Sequence, residues 1–426
     1  METTQKRSTF GKKGLPIVIL CFFYWYLYAA ITSDGLNTLL VYFMDAFSCD
    51  QATLSFYVTV GGWLTIVANL AFGYWGGKYG AKKIIIAGLI GNIIGLLFLA
   101  NATSIYLYAV GTIVYTVSTC AVSGIGLGML GSNWFPKKKG LFMGWCTMGI
   151  AISGATAAST LSVLINIGGL AFCMYVYVAL VVLILIGTII FVKDNPEEAG
   201  AYPDNDPSMT MEDVAELNWK TEEYRKTSPW TYKKILTSGF FWHMVIGWTL
   251  SCVAAYGLVS QLALAYISFG HDVTYFLLTM ACAMPFGLFT SWLGGFIDNK
   301  KGTKAATFFC LGLMLASQLL MVLLGTSLPF MIIGTALLAG AMSAQNNTIM
   351  SITQSKFGRF DFLNGWTLMS VFQKFFNTTG LLIVAAIASA MNNYKLSIAF
   401  CEGITLISMV FVATFNDTCV GRNTLD

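Results

Sequence analysis

The chain has 426 residues, 56% of them hydrophobic and only 10% charged, with a formal net charge of +4 and a mean hydropathy of +0.70. Soluble domains average about 45–50% apolar and about 25% charged residues, so this composition excludes a water-soluble globular protein and implies one built into a bilayer. The bases are scattered over many short segments instead of forming one stripe, which excludes nucleic acid as a partner.

A hydrocarbon core roughly 30 Å thick takes about 20 apolar residues per crossing helix. Apolar runs predict twelve such helices, near 15–44, 53–76, 84–100, 106–132, 140–165, 170–192, 238–266, 274–297, 305–325, 329–352, 363–390 and 396–415. The first begins basic and then turns apolar, but its run far exceeds the about 7–15 residues of a signal-peptide core. It therefore reads as an uncleaved first helix. All but Lys374 and Lys395 of the 24 Lys and Arg residues fall in breaks that lie on one side of the membrane once the helices are threaded. The positive-inside rule then predicts a multi-pass protein of the plasma membrane with both termini cytoplasmic.

Between residues 193 and 237 the composition changes abruptly to ten acids and six bases. The segment reads as a cytoplasmic linker between an N-terminal six-helix bundle, 1–192, and a C-terminal one, 238–426. Internal repetition supports the division. Gly73-Tyr-Trp-Gly-Gly-Lys78-Tyr-Gly80-Ala-Lys82 matches Gly295-Phe-Ile-Asp298-Asn-Lys300-Lys-Gly302-Thr-Lys304 at an offset of 222 residues. Phe135, Gly144 and Trp145 are echoed by Phe357, Gly365 and Trp366 at nearly the same offset. Duplicated bundles mark transporters that bind their cargo near the midplane, where the halves meet.

The stretch from Gly73 to Lys83 resembles the loop signature between the second and third helices of the major facilitator superfamily. Gly77 stands where that signature carries Asp, and Asn299 does so in the second copy. The resemblance implies a fold of twelve transmembrane helices in two bundles, with Gly73, Lys78, Gly80, Lys82, Asp298 and Gly302 as its conformational loop motif. Pro196-Glu197-Glu198-Ala-Gly200-Ala-Tyr-Pro203-Asp204 is similar to a segment of the oxalate:formate antiporter branch, as is Asn133-Trp134-Phe135-Pro136 before the fifth helix.

Three charged residues fall inside predicted spans: Asp34, Lys374 and Glu402. A charge at the bilayer centre costs roughly 2.5–3.5 kcal/mol on insertion scales, so each is expected to face a cavity or a partner. Lys374 lies about twelve residues into the eleventh helix, roughly 18 Å from its cytoplasmic end. Thr367, Ser370, Asn377 and Thr378 share its face, a polar stripe suited to a hydrated path. A desolvated ammonium there would pair with an anionic substrate or, in its absence, with Asp34. Asp34 is thus expected to serve as counter-ion and gate, as a proton carrier or as a structural acid. The antiporter branch similarly carries a substrate-binding lysine in the eleventh helix, paired with an arginine in the eighth. Here the eighth helix has no base before its cytoplasmic end, and one intramembrane cation favours a monoanion.

Gln345 and Asn346 on the tenth helix, with Asn347, Gln261 on the seventh and Tyr115 on the fourth, are further candidates to line the cavity. The glycines of the fourth and fifth helices, Gly124 to Gly131 and Gly140 to Gly154, have the spacing of close helix packing. Ten cysteines form no CxxC pair and read as packing residues. The sequence contains no phosphate-binding loop and no H-E-x-x-H, so neither ATP drive, a metal, a cofactor nor an enzyme is expected. These readings point to a monomeric secondary transporter of a small organic carboxylate, working by exchange against a counter-anion or by proton symport. The alternative is a proton-coupled efflux transporter of cationic or amphiphilic compounds, in which Asp34 binds the cation. The absence of a Gly-Pro pair in the fifth helix weighs against it.

Overall fold

A computed structural model describes residues 10–33, 35–49, 51–206, 223–224, 227–391 and 394–422. Among these residues, regular structure is entirely helical. In chain order, α1 comprises Gly11–Thr32 and, after a break, Leu36–Phe47; α2 is Gln51–Tyr79 and α3 is Ala81–Ala100. Ile105–Thr119 continues through a wide π-helical stretch, Cys120–Gly126, into Leu127–Trp134 to make α4. Lys139–Phe191 breaks at Gly169 into α5 and α6. The seventh, α7, runs from Gly239–Met244 through a second π stretch, Val245–Thr249, to Ser251–Ser268. Val273–Cys282 and Met284–Lys301 form a bent α8, and Thr303–Leu324 forms α9. Leu328–Met391 breaks at Gly358 into α10 and α11, and Tyr394–Thr414 is α12.

Nine of the described helices are long and apolar enough to cross a bilayer, and the bent α8 pair adds a tenth crossing. Because two of the nine fold back at Gly169 (φ 81°) and Gly358 (φ 71°), the twelve predicted spans are all present. Val67, Ile167 and Leu323 leave 66–70% of their surface open, a liability in water that acyl chains remove. The predicted continuous first helix is instead two, one ending at Thr32 and the next starting at Leu36. Unbroken from 11 to 47 it would be about 55 Å long, nearly twice a hydrocarbon core of roughly 30 Å.

Glycines set the helix contacts, as their spacing predicts. A Cβ on Gly149 of α5 would lie 2.3 Å from the Phe22 carbonyl oxygen of α1, and one on Gly295 of α8 would lie 2.4 Å from the Gly140 carbonyl oxygen of α5. Gly73 of α2 meets Thr367 of α11 just as closely. The α5–α8 and α2–α11 contacts join the two halves at the end where the lysine-rich breaks lie.

The segment after α6 binds that end together. Asp194 Oδ1 accepts the Lys82 backbone N–H at 2.6 Å and so caps α3, while Asp204 accepts the N–H groups of Lys137 and Lys138 at 2.9 and 2.8 Å ahead of α5. Burial pushes the Asp204 carboxyl above the usual carboxylate range, against the opposing pull of those N–H groups and of the two lysine charges. Asn133 Nδ2 and Trp134 Nε1 donate to the carbonyls of Asp194 and Lys193 at 2.8 and 2.9 Å. The two short motifs singled out in the sequence thus fold onto each other.

Candidate functional site

Gly358 starts α11, so Lys374 stands sixteen residues along it, about 24 Å from the lysine-bearing end and near the middle of the helix. Its Nζ donates to the Tyr28 hydroxyl of α1 at 3.1 Å and lies 4.8 Å from the centre of the Tyr28 ring. Trp25, one turn earlier on α1, meets that ring edge-on at 5.5 Å. The thiols of Cys120, in the π stretch of α4, and Cys252, on α7, lie within electrostatic reach of the ammonium. Among the described residues no carboxylate forms an ion pair with it. Among the described residues, a cation in a low-dielectric interior is therefore held by neutral groups, a phenol oxygen and a π face, and none of them balances its charge.

Amides surround this centre. Gln373, beside Lys374, donates from Nε2 to Asn346 Oδ1 of α10 at 2.7 Å. Gln345 donates from Nε2 to Ser251 Oγ of α7 at 2.8 Å and reaches Cys252 Sγ at 3.4 Å. Asn69 of α2 is buried and accepts from the Cys120 thiol at 2.9 Å. Six helices, α1, α2, α4, α7, α10 and α11, thus send polar side chains to one level of the bundle, and α4 and α7 do so beside or within their π stretches. Such wide turns are frequent at functional sites, where they re-aim side chains.

Of the residues expected at the site, Lys374, Gln345 and Asn346 gather here, and Asn377 lies one turn along α11 from Lys374. The Tyr115 hydroxyl instead donates to the Leu27 carbonyl at 2.9 Å, tying α4 to α1; its ring also lines a small cavity of about 20 Å³ with Ile31, Phe43 and Thr116. Gln261 stands nine residues beyond Cys252 on α7, about 13 Å along the axis, partly exposed with its Nε2 3.4 Å from Ser260 Oγ. Asn347 joins Thr147 of α5 to Ser291 of α8. Asp34 lies outside the described residues. Tyr28, Gln373, Asn69, Ser251 and the two thiols complete the cluster without having been singled out. Asn69 carried a usable signal, a lone amide in mid-span; Tyr28 was masked by the aromatic run before it.

The loop motif lies away from this centre, at the lysine-bearing end. Gly80 and Gly302 share one backbone conformation, φ 87° with ψ 167° and φ 84° with ψ 166°. Lys82 Nζ donates to the Ile189 carbonyl at 2.7 Å, and Lys78 lies over the Tyr79 ring at 5.2 Å. Asp298 is buried against Gly140 of α5, where it accepts from Thr303 Oγ1 at 2.7 Å and from Ser351. Arg359 of α11 donates to Glu197, in the segment after α6, at 2.6 Å in a buried ion pair. The halves are therefore closed on each other at this end.

The sequence profile of the Major Facilitator Superfamily matches residues 20–373. The fold is shared with the human organic anion transporter MFSD10 (TETRAN), at 13% identity and a TM-score of 0.70 over 93% of this chain and 99% of that one. It is shared with a variant of the E. coli fucose:proton symporter FucP, at 13% identity and a TM-score of 0.71 over 94% and 98%. The proton:xylose symporter XylE, bound to 6-bromo-6-deoxy-D-glucose, matches at 12% identity and a TM-score of 0.71 over 94% and 95%. No curated protein sequence matches the chain.

Proposed function

Because the chain belongs to the major facilitator superfamily, a family of membrane transporters, we propose that it carries a small organic monocarboxylate by alternating access. The observation that carries this reading is Lys374, a mid-membrane ammonium whose hydrogen-bond partner among the described residues is a neutral phenol. A carboxylate supplies the balancing charge, and one cation suits one negative charge. The human organic anion transporter with this fold offers a precedent for anionic cargo, and the fucose and xylose symporters offer one for proton drive. Within the superfamily we place the chain in the oxalate:formate antiporter branch, on Lys374 and the Pro196 to Asp204 segment. Transport is driven by exchange against a counter-anion or by symport of a proton. The protein works as a monomer in the plasma membrane with both termini cytoplasmic.

The test is uptake of labelled monocarboxylates into vesicles reconstituted with the purified protein, with and without an imposed pH gradient or internal counter-anion. Lys374→Ala is expected to lower anion affinity at least about thirtyfold, the effect of removing one partner from a buried charge pair, with expression intact. Unchanged uptake would remove Lys374 from the site, and preferential transport of organic cations would favour the efflux alternative.

A further inference from the structure

Among the described residues, four buried polar atoms without a hydrogen-bond partner belong to side chains that pack on the neighbours of Lys374 or follow it on α11: Trp25 Nε1, Asn69 Nδ2, Gln345 Oε1 and Asn377 Oδ1. Each is tied to the ammonium's own surroundings. Trp25 packs on Tyr28, Asn69 on Cys120, Gln345 on Cys252, and Asn377 follows Lys374 by one turn. In the interior of a closed bundle, leaving such atoms unpaired is costly. Their concentration about one charged side chain marks a place where the missing partners arrive with a guest.

The chemistry of that guest follows from which atoms are free. The Ser251 hydroxyl donates to the Trp248 carbonyl at 3.3 Å, so its oxygen accepts from the Gln345 NH₂ group. This orients the Gln345 carboxamide and leaves an acceptor, Oε1, unpaired. Asn69 uses its oxygen toward the Cys120 thiol and leaves a donor. Trp25 Nε1 can only donate. A bare carboxylate satisfies the ammonium and the two donors but offers nothing to the Gln345 and Asn377 oxygens. A hydroxyl group both donates and accepts.

We propose that the site selects a hydroxylated monocarboxylate, its carboxylate on Lys374 and its hydroxyl donating to Gln345 Oε1 while accepting from Asn69 or Trp25. This rests on the carboxylate reading above and narrows it. Simple aliphatic acids and inorganic anions become the weaker guests, because they leave the Gln345 oxygen unpaired.

The experiment measures ligand protection of the purified full-length protein against thermal unfolding, titrated with two series of acids. One is butyrate, β-hydroxybutyrate and β-methoxybutyrate; the other is phenylpropionate, phenyllactate and the methyl ether of phenyllactate. In at least one series the hydroxy acid is expected to bind about tenfold tighter than both relatives, since the ether accepts a hydrogen bond but cannot donate one. In Gln345→Met, checked for folding by its ligand-free melting point, that ratio should fall toward one. Equal binding within both series overturns the hydroxyl assignment while sparing the carboxylate site, as does a ratio that Gln345→Met leaves intact. The wild-type ratio decides the matter even if the variant fails to fold. Protection by none of the six acids, or protection that survives Lys374→Ala, overturns the carboxylate reading itself.

Discussion

Among the described residues, Lys374 is held by a single aromatic residue, Tyr28. A desolvated cation–π contact contributes about 2 kcal/mol, against roughly 2.5–3.5 kcal/mol for placing an ammonium at the bilayer centre on insertion scales. The Tyr28 phenol and ring therefore offset much of that cost without neutralising the charge, which leaves an anion something to gain. Tyr28→Phe keeps the ring face and deletes the oxygen. The phenol oxygen accepts from Lys374, so its own proton is free to donate to a bound carboxylate; losing that bond should weaken carboxylate binding by about tenfold, the low end for a hydrogen bond to a charged group, short of the loss in Lys374→Ala. Titration by thermal protection checks this, and a loss as large as that of Lys374→Ala would make Tyr28 a principal ligand. Tyr115 illustrates the opposite case: a hydroxyl in mid-bundle, committed to the Leu27 carbonyl, that ties two helices together.

At the scale of elements, the two copies of the glycine–lysine loop have the same backbone but different surroundings. Gly80 and Gly302 both precede a helix at positive φ with extended ψ, a region essentially reserved for glycine. An added Cβ at Gly302 meets open space, whereas one at Gly80 would lie 2.1 Å from Asp194 Oδ2, the carboxylate that caps α3. Gly302→Ala should thus cost only the backbone strain, about 1–3 kcal/mol. Gly80→Ala should cost the same plus about 1 kcal/mol for the displaced cap. Thermal unfolding of the two variants gives the difference; equal losses would mean that Asp194 contributes nothing to α3. The asymmetry also shows where the repeat has diverged, since Asp194 comes from the segment after α6, while Asp298 stands within the second copy itself.

At the scale of the whole molecule, the lysine-bearing end is closed by buried charges. Arg359, just after the Gly358 turn, pairs with Glu197 from the segment after α6, their side chains only 5% and 0% exposed. The chain beyond α12 then straps the same turn: Val420 N–H donates to the Lys356 carbonyl at 2.8 Å, Phe360 N–H to the Arg422 carbonyl at 3.1 Å, and Arg422 pairs with Asp361 at 2.9 Å. Alternating access, as proposed above, requires the Arg359–Glu197 contact to part when this end opens. Arg359→Met leaves Glu197 buried and unpaired, which should destabilise the closed arrangement by about 3–5 kcal/mol and shift the population toward the opposite state. Labelling of a cysteine placed at Ser132, whose hydroxyl donates to the Arg359 carbonyl, should rise sharply in that background. Adding Glu197→Gln should reverse much of the rise. Labelling that stays at the wild-type level would show that the ion pair does not hold this end shut.

Hydropathy located the twelve spans, and internal repetition of the sequence located the duplicated loop. In lipid each helix must satisfy its own backbone hydrogen bonds, so a crossing segment is a local property of about 20 residues and is written in the chain. The same is true of Lys374 as a charge in mid-helix, and of the glycines that set close contacts. The partners of that lysine were not legible. Tyr28 stands 346 residues away, and no local pattern says which side chains from six helices meet at one level. Nor did hydropathy reveal the break in α1, the π turns of α4 and α7, or the cap that Asp194 gives to α3. Those depend on how the helices pack across one another, because a side chain's partners are set by the distance between helices and not by distance along the chain.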